Sequence, residues 1–192
     1  MMNYSSVFRR SLVLAALIAT TMSCGDVVRE GRSPVFLTIE KLEATPGGKT
    51  TTSGTLLSDV STNGSVINDN GQAVLSLTPK DFSVAPTTNN QVTVNRYRVV
   101  YRRADGRNSP GVDVPYPFEG AVTGTVPPSG SLTLGFEIVR HTAKGQPPLL
   151  FLAQNPAVLS TIADVTFFGA DQVGNAISVT GSILIDFGNF AD

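Results

Sequence analysis

The sequence has no tryptophan, one cysteine, one histidine and few charges. Each scarcity excludes a class of chemistry. The lone Cys24 cannot form an intramolecular disulfide, and the lone His141 cannot supply a multi-histidine zinc centre. No Gly-x-x-x-x-Gly-Lys loop and no Gly-x-Gly-x-x-Gly fingerprint occurs, so nucleotide chemistry has no support. A Ser-His-Asp hydrolase would have to use His141, yet no Gly-x-Ser-x-Gly elbow accompanies it. His141 is therefore expected to be a solvent-exposed side chain in a loop. The carboxylates stand singly at Glu40, Glu43, Asp81, Asp113, Glu119, Glu137, Asp164 and Asp186, without the spacing of a catalytic pair. Charged residues make up 15% of the chain, against roughly 25% in an ordinary globular domain.

What is present is apolar and turn-rich. With 192 residues, 41% of them apolar, and a mean hydropathy of +0.11, the chain can bury a core and is long enough for one domain. The first ten residues carry Arg9 and Arg10 and no acid, and Ser11 to Ser23 carry no charge. This is the n-region and h-region of an export signal. Thirteen helical residues reach about 20 Å, short of a roughly 30 Å hydrocarbon core, so a lasting transmembrane helix is disfavoured. With Arg9 and Arg10 removed from the 14 basic residues, 12 remain against 15 acidic, a net charge of about −3 that argues against nucleic-acid binding.

Thr21-Met22-Ser23-Cys24-Gly25 resembles the lipobox of bacterial lipoproteins, with small residues flanking the cysteine and Thr21 where that family has an aliphatic residue. The resemblance implies a signal peptide over 1–23, lipidation of Cys24 by palmitate or a related acyl chain, a polar tether over 24–33 and a domain over 34–192. It implies a bacterial envelope location, in the outer membrane if the cell is Gram-negative, with the domain in the periplasm or at the cell surface.

The domain reads as strands. Val35, Leu37 and Ile39 alternate with Phe36, Thr38 and Glu40, a period of two. A short strand is expected at Gly54 to Leu57 and another from Ala73 to Leu77, with the Asn70-Gly71 pair predicting a hairpin turn between them. Gln91 to Ala104 is expected to be the longest strand, turning Tyr97, Val99 and Tyr101 inward and Arg96, Arg98 and Arg102 outward. Ala121 to Val126 and the alternation Leu132, Leu134, Phe136, Ile138 predict a second hairpin around Pro127-Pro-Ser-Gly130. Leu149 to Leu152 is expected to be a core strand, with a partner-docking patch as the alternative. One helical turn is expected over Pro156 to Ser160. The chain closes with Ala163 to Phe168, a turn at Asp171 to Asn175, and Ile177, Val179, Gly181, Ile183, Ile185 and Phe187 on one face.

This pattern predicts an all-β fold, a two-sheet antiparallel β-sandwich with long loops at 105–120 and 142–160 and at most one helical turn, a jelly roll being the rival. The last pair, with Asp171-x-x-Gly174-Asn175 between alternating strands, resembles the final hairpin of immunoglobulin-like and fibronectin-III-like envelope domains. That resemblance implies a fold, not an activity.

Two surface features carry candidate functions. Asp59, Asn63, Asn68, Asp69 and Asn70 offer oxygen donors of the kind calcium uses, although they match no EF-hand and turn chemistry accounts for them. Arg96, Arg98, Arg102 and Arg103, interleaved with Tyr97 and Tyr101, form the densest basic strip, either a binding strip for anions or a solvated face with acidic or Thr-rich neighbours. The expected function is that of a membrane-anchored, non-enzymatic structural or protein-interaction module with an envelope protein partner, no cofactor and no small-molecule substrate. A carbohydrate-binding or calcium-dependent adhesion module is the second reading, and a small hydrolase the third.

Overall fold

The computed structural model describes residues 31–190, so Cys24 and the leader lie outside the described residues. Eight strands form two sheets: β1 (Val35–Thr45), β2 (Thr55–Asp59), β3 (Asp69–Pro79), β4 (Val92–Arg102), β5 (Phe118–Val126), β6 (Ser131–Val139), β7 (Leu159–Asp171) and β8 (Ala176–Gly188). The three-stranded sheet has the order β1-β3-β6 and the five-stranded sheet β2-β8-β7-β4-β5. The fold is all-β. One pairing departs from the antiparallel expectation, because β2 runs parallel to β8, with Thr55 opposite Leu184 and Asp59 opposite Gly188. Its reach is set by the 46–54 turn, which folds back so that Ala44 and Ser53 exchange backbone hydrogen bonds at 2.9 Å. β2 thereby leaves the first sheet and joins the second.

The inner faces share one core. Tyr97 and Phe167 from the large sheet close around Phe136 from the small one, both with ring centroids 5.2 Å from it, and Tyr101 packs edge-on to Phe187. Tyr101 also joins the sheets by a hydrogen bond, its hydroxyl donating to the Ile138 carbonyl at 2.6 Å. Burying such side chains contributes about 1.5–3 kcal/mol each.

Two bulges make the sequence pattern fit this core. In β1 the buried positions are Val35 and Leu37, then Leu42 and Ala44 face the interior: the apolar parity changes from odd to even. The register shifts between Ile39 and Lys41 at that point. In β4 Val92 and Val94 are buried, then Tyr97, Val99 and Tyr101, and the shift falls between Val94 and Arg96. One extra residue flips every later side chain to the opposite face, so without the second bulge Arg96 and Arg98 would point into the core.

Several local expectations are corrected. The Asn70-Gly71 pair lies inside β3, where Gly71 leaves room for the Phe136 ring that a Cβ would overlap. The tight turn is made instead by Asn63 (φ 48°) and Gly64 (φ 76°), flanked by reciprocal Thr62 and Ser65 hydrogen bonds of 2.8 Å. β5 and β6 are not a hairpin: β5 pairs with β4 and β6 with β3, so Pro127 to Gly130 carries the chain from one sheet to the other. A sheet crossing and a hairpin have the same local pattern, and only distant partners separate them.

β7 and β8, 13 residues each, are longer than β4. Helical turns also exceed the single one expected. A four-residue helix α1 spans His141–Lys144, and 3-10 turns span Thr88–Asn90 and Leu149–Gln154. The Leu149–Gln154 turn replaces the expected core strand, and Pro156–Ser160 is extended chain entering β7. With Leu149 and Leu152 buried while Leu150 and Phe151 are exposed, a spacing of three serves a 3-10 turn, not a strand. The final hairpin is as expected: Gly174 takes φ 84°, and the Asp171 carboxylate accepts from the Val173 and Asn175 amides at 3.1 and 2.9 Å.

Candidate functional site

The densest polar cluster of the described residues is buried. Lys144, only 3% exposed, donates from Nζ to Asp69 Oδ1 at 2.9 Å and to the Asp59 carbonyl at 2.8 Å. Asp69 is fully buried and also accepts from the Gly47 amide at 2.7 Å and the Ser58 hydroxyl at 2.6 Å. The cluster ties together the end of β1, the end of β2, the start of β3 and α1. Burial pushes the Asp69 carboxyl above its ordinary range, opposed by the Lys144 charge and by the hydrogen bonds from Ser58 and Gly47. Ser58 Oγ and Lys144 Nζ both engage Asp69, and Ser58 is itself fully buried. The cluster clamps these four segments together.

Three of the oxygen donors that suggested calcium belong to other partners. The Asp69 carboxylate serves the Lys144 ammonium, and Asp59 Oδ1 accepts the Ser61 amide at 3.2 Å. Asn68 donates from Nδ2 to Glu137 Oε1 at 2.7 Å, and its Oδ1 accepts the His141 amide at 2.6 Å. Among the described residues no group of three or more His, Cys, Asp or Glu side chains is placed to hold a metal ion.

His141 is exposed at the start of α1, with Nδ1 2.8 Å from Asn68 Oδ1. The basic strip faces outward as expected, and it is paired. Arg96 meets Glu119 at 2.8 Å and lies over the Phe168 ring at 4.3 Å, Arg102 meets Asp164 at 2.7 Å, and Arg103 meets Asp105 at 2.6 Å. Arg98 stands in register with Glu119 on one side and Thr166 on the other. Hydrogen bonds from the Arg103 and Arg107 side chains hold the Asp105 carboxyl well below the usual range. Acids cancel this strip locally, which removes most of its pull on a distant anion.

Two surface clefts accompany the cluster. One, of about 400 Å³, lies at the β1–β2 margin, where Lys49, Thr51, Ser53, Thr55, Asp59 and Phe190 contribute to its walls. The other, of about 460 Å³, lies where the sheets meet at β5 and β6, floored by Tyr97 and Phe136. Gly120 is required there, because a Cβ would overlap the Tyr97 ring. Arg140 closes its rim, stacked over Phe118 at 4.1 Å and donating to the Glu119 carbonyl at 2.9 Å.

The sequence reading missed the Asp69–Lys144 pair. Its only local signal is an acid opening a strand whose following residues alternate, and a carboxylate there reads equally as turn chemistry. The predicted lipidation residue Cys24 lies outside the described residues. Among the described residues no helix is long and apolar enough to cross a membrane.

No family model and no curated protein matches the chain. Among solved structures it resembles one described as "X-ray structure of Northeast Structural Genomics Consortium target SoR45", at 10% identity and a TM-score of 0.38, over 79% of this chain and 86% of that one. So distant a likeness assigns no activity.

Proposed function

We propose that the protein is a bacterial envelope lipoprotein, attached to a membrane through a lipidated Cys24, whose domain is an immunoglobulin-like sandwich acting as a non-enzymatic protein-interaction module. The strand order supports the fold reading. Lettered A, A′, B, C, C′, E, F and G in chain order, the strands give A-B-E facing A′-G-F-C-C′, with β5 as the C′ strand that extends a G-F-C sheet.

The observation that carries the functional reading is the polarity of the domain. The chain from Cys24 enters at Pro34, beside the end of β3, the start of β4 and the β7–β8 turn. The two longest connections, 103–117 and 140–158, lie at the opposite end, where Leu150, Phe151 and Val158 are exposed. An anchor at one end and long loops at the other present those loops away from the membrane, where binding loops are useful.

The test has two parts. Cells fed radiolabelled palmitate should label the full chain and leave a Cys24→Ala variant unlabelled; equal labelling overturns the anchor. A photo-crosslinking amino acid in place of Phe151 should give a discrete adduct in intact cells, while one in place of Thr180, on the outer sheet face, should not. Indistinguishable behaviour at the two positions overturns the interaction reading.

A further inference from the structure

We propose that the tether-side end of the domain is a membrane-docking surface, in which Phe82 and Val84 of the β3–β4 loop and Val173 of the β7–β8 turn enter the interfacial layer of the bilayer. The proposal rests on the lipid-anchor reading and adds a second, non-covalent attachment to it. Four segments converge on this end: 31–34, 80–91, 127–130 and 172–175. Val35 stands opposite Pro79, Val92 opposite both Val126 and Asp171, and Ser76 opposite Ser131, so these connections share one side of the molecule.

Phe82 is 83% exposed, Val173 76% and Val84 61%. A scattered exposed side chain is ordinary, but these three crown the end from which the chain leads back to Cys24. Phe82 is held there by a local turn: Asp81 Oδ1 accepts from the Ser83 amide at 2.9 Å and the Ser83 hydroxyl at 2.6 Å, which leaves the intervening ring at the tip. The segment is also pinned to the tether, since the Lys80 amide donates to the Pro34 carbonyl at 2.9 Å and Lys80 Nζ to the Gly31 carbonyl at 3.2 Å.

Distance and charge select a lipid surface as the occupant. From Cys24 to Gly31 an extended chain spans at most about 25 Å, so a lipidated Cys24 keeps this end within that distance of the bilayer. The four segments carry only Arg32, Lys80 and Asp81 as charged residues, whereas the opposite end carries Arg103, Asp105, Arg107, Asp113 and Arg140. Low charge, with two cations against one acid, and an aromatic tip suit an interface of anionic headgroups; the charged end would lose hydration there.

The absence of tryptophan makes the test direct. Single-tryptophan variants F82W, V173W and, at the opposite end, V112W, whose parent valine is 72% exposed, are prepared as the full chain processed in cells and reconstituted into anionic phospholipid vesicles with brominated acyl chains. Emission of F82W and V173W should be quenched several-fold more than that of V112W. Equal quenching at the three positions, or none at position 82, overturns the docking surface. The mass of the peptide bearing Cys24 reports the anchor separately. An acylated Cys24 with unquenched F82W overturns docking and leaves the anchor standing. An unmodified Cys24 overturns the anchor, and docking is then decided by the quenching of F82W when the chain is mixed with the same vesicles.

Discussion

Lys144 and Asp69, 75 residues apart in the chain, meet at 2.9 Å in the interior with 1% and 0% of their side chains exposed. Burying two charges costs several kcal/mol per ion, and here the return is four hydrogen bonds that bring the ends of β1 and β2, the start of β3 and α1 to one point. The pair therefore specifies which segments meet more than it adds net stability.

Removing one partner is expected to cost far more than removing both. Lys144→Met should destabilise the protein by about 3–5 kcal/mol at neutral pH, because it strands a buried carboxylate. The double variant Lys144→Met with Asp69→Leu should be less destabilised than Lys144→Met alone. Urea unfolding at neutral pH and at about pH 4 checks this, and the Lys144→Met penalty should shrink at the lower pH, where Asp69 can take up a proton. A penalty independent of pH would contradict the assignment.

The carboxyls are expected to divide in their titration. Asp69 should titrate above the ordinary aspartate value, because burial outweighs the help of Lys144, Ser58 and Gly47. Asp164 and Asp171 should titrate below it. In each, burial alone would raise the value and is overcome, by Arg102 and Ser182 for Asp164 and by Asn175 and the Val173 amide for Asp171. The signs for stability follow. Asp164 and Asp171 stabilise the fold above the unfolded value of about 3.9, and that contribution is lost as pH falls through their lower folded values. Asp69 acts oppositely: its contribution is present below the unfolded value and lost as pH rises through its higher folded value. Carboxyl carbon NMR shifts across an acid titration test the order, and an Asp69 titrating below Asp171 would refute it.

Tyr101→Phe should destabilise by about 1–3 kcal/mol, because it leaves the buried Ile138 carbonyl without the hydroxyl that crosses between the sheets. The ring contact with Phe187 survives in the variant. Tyr101→Ala should cost about 3–5 kcal/mol by opening a cavity as well. Thermal unfolding of the two variants measures the difference. An unchanged melting temperature for Tyr101→Phe would show that the hydrogen bond contributes nothing net.

The strands were legible because a period of two survives in one dimension. Val35 and Leu37, Tyr97, Val99 and Tyr101, and Ile183, Ile185 and Phe187 are buried where their alternation predicts. The apolar parity changes after Ile39 and again after Val94, but only the pairing with β3 and β7 makes these changes bulges. The final hairpin was readable because a turn of Asp171, Gly174 and Asn175 is self-contained, its hydrogen bonds closing within five residues.

Partner choice was not readable. Asn63-Gly64 and Asn70-Gly71 are chemically alike, and only the need of Gly71 to admit Phe136 makes the second a strand. β5 and β6 could have paired on local grounds, yet each has its hydrogen-bonded partner elsewhere. The sequence by itself determined the all-β class, the inward faces of its strands and the residue proposed for the anchor, because those depend on periodicity and on a local motif. Tertiary structure alone decided the parallel β2–β8 pair, the Asp69–Lys144 clamp and the gathering of Phe82, Val84 and Val173 at one end. Each depends on contacts between residues far apart in the chain, which no local pattern encodes.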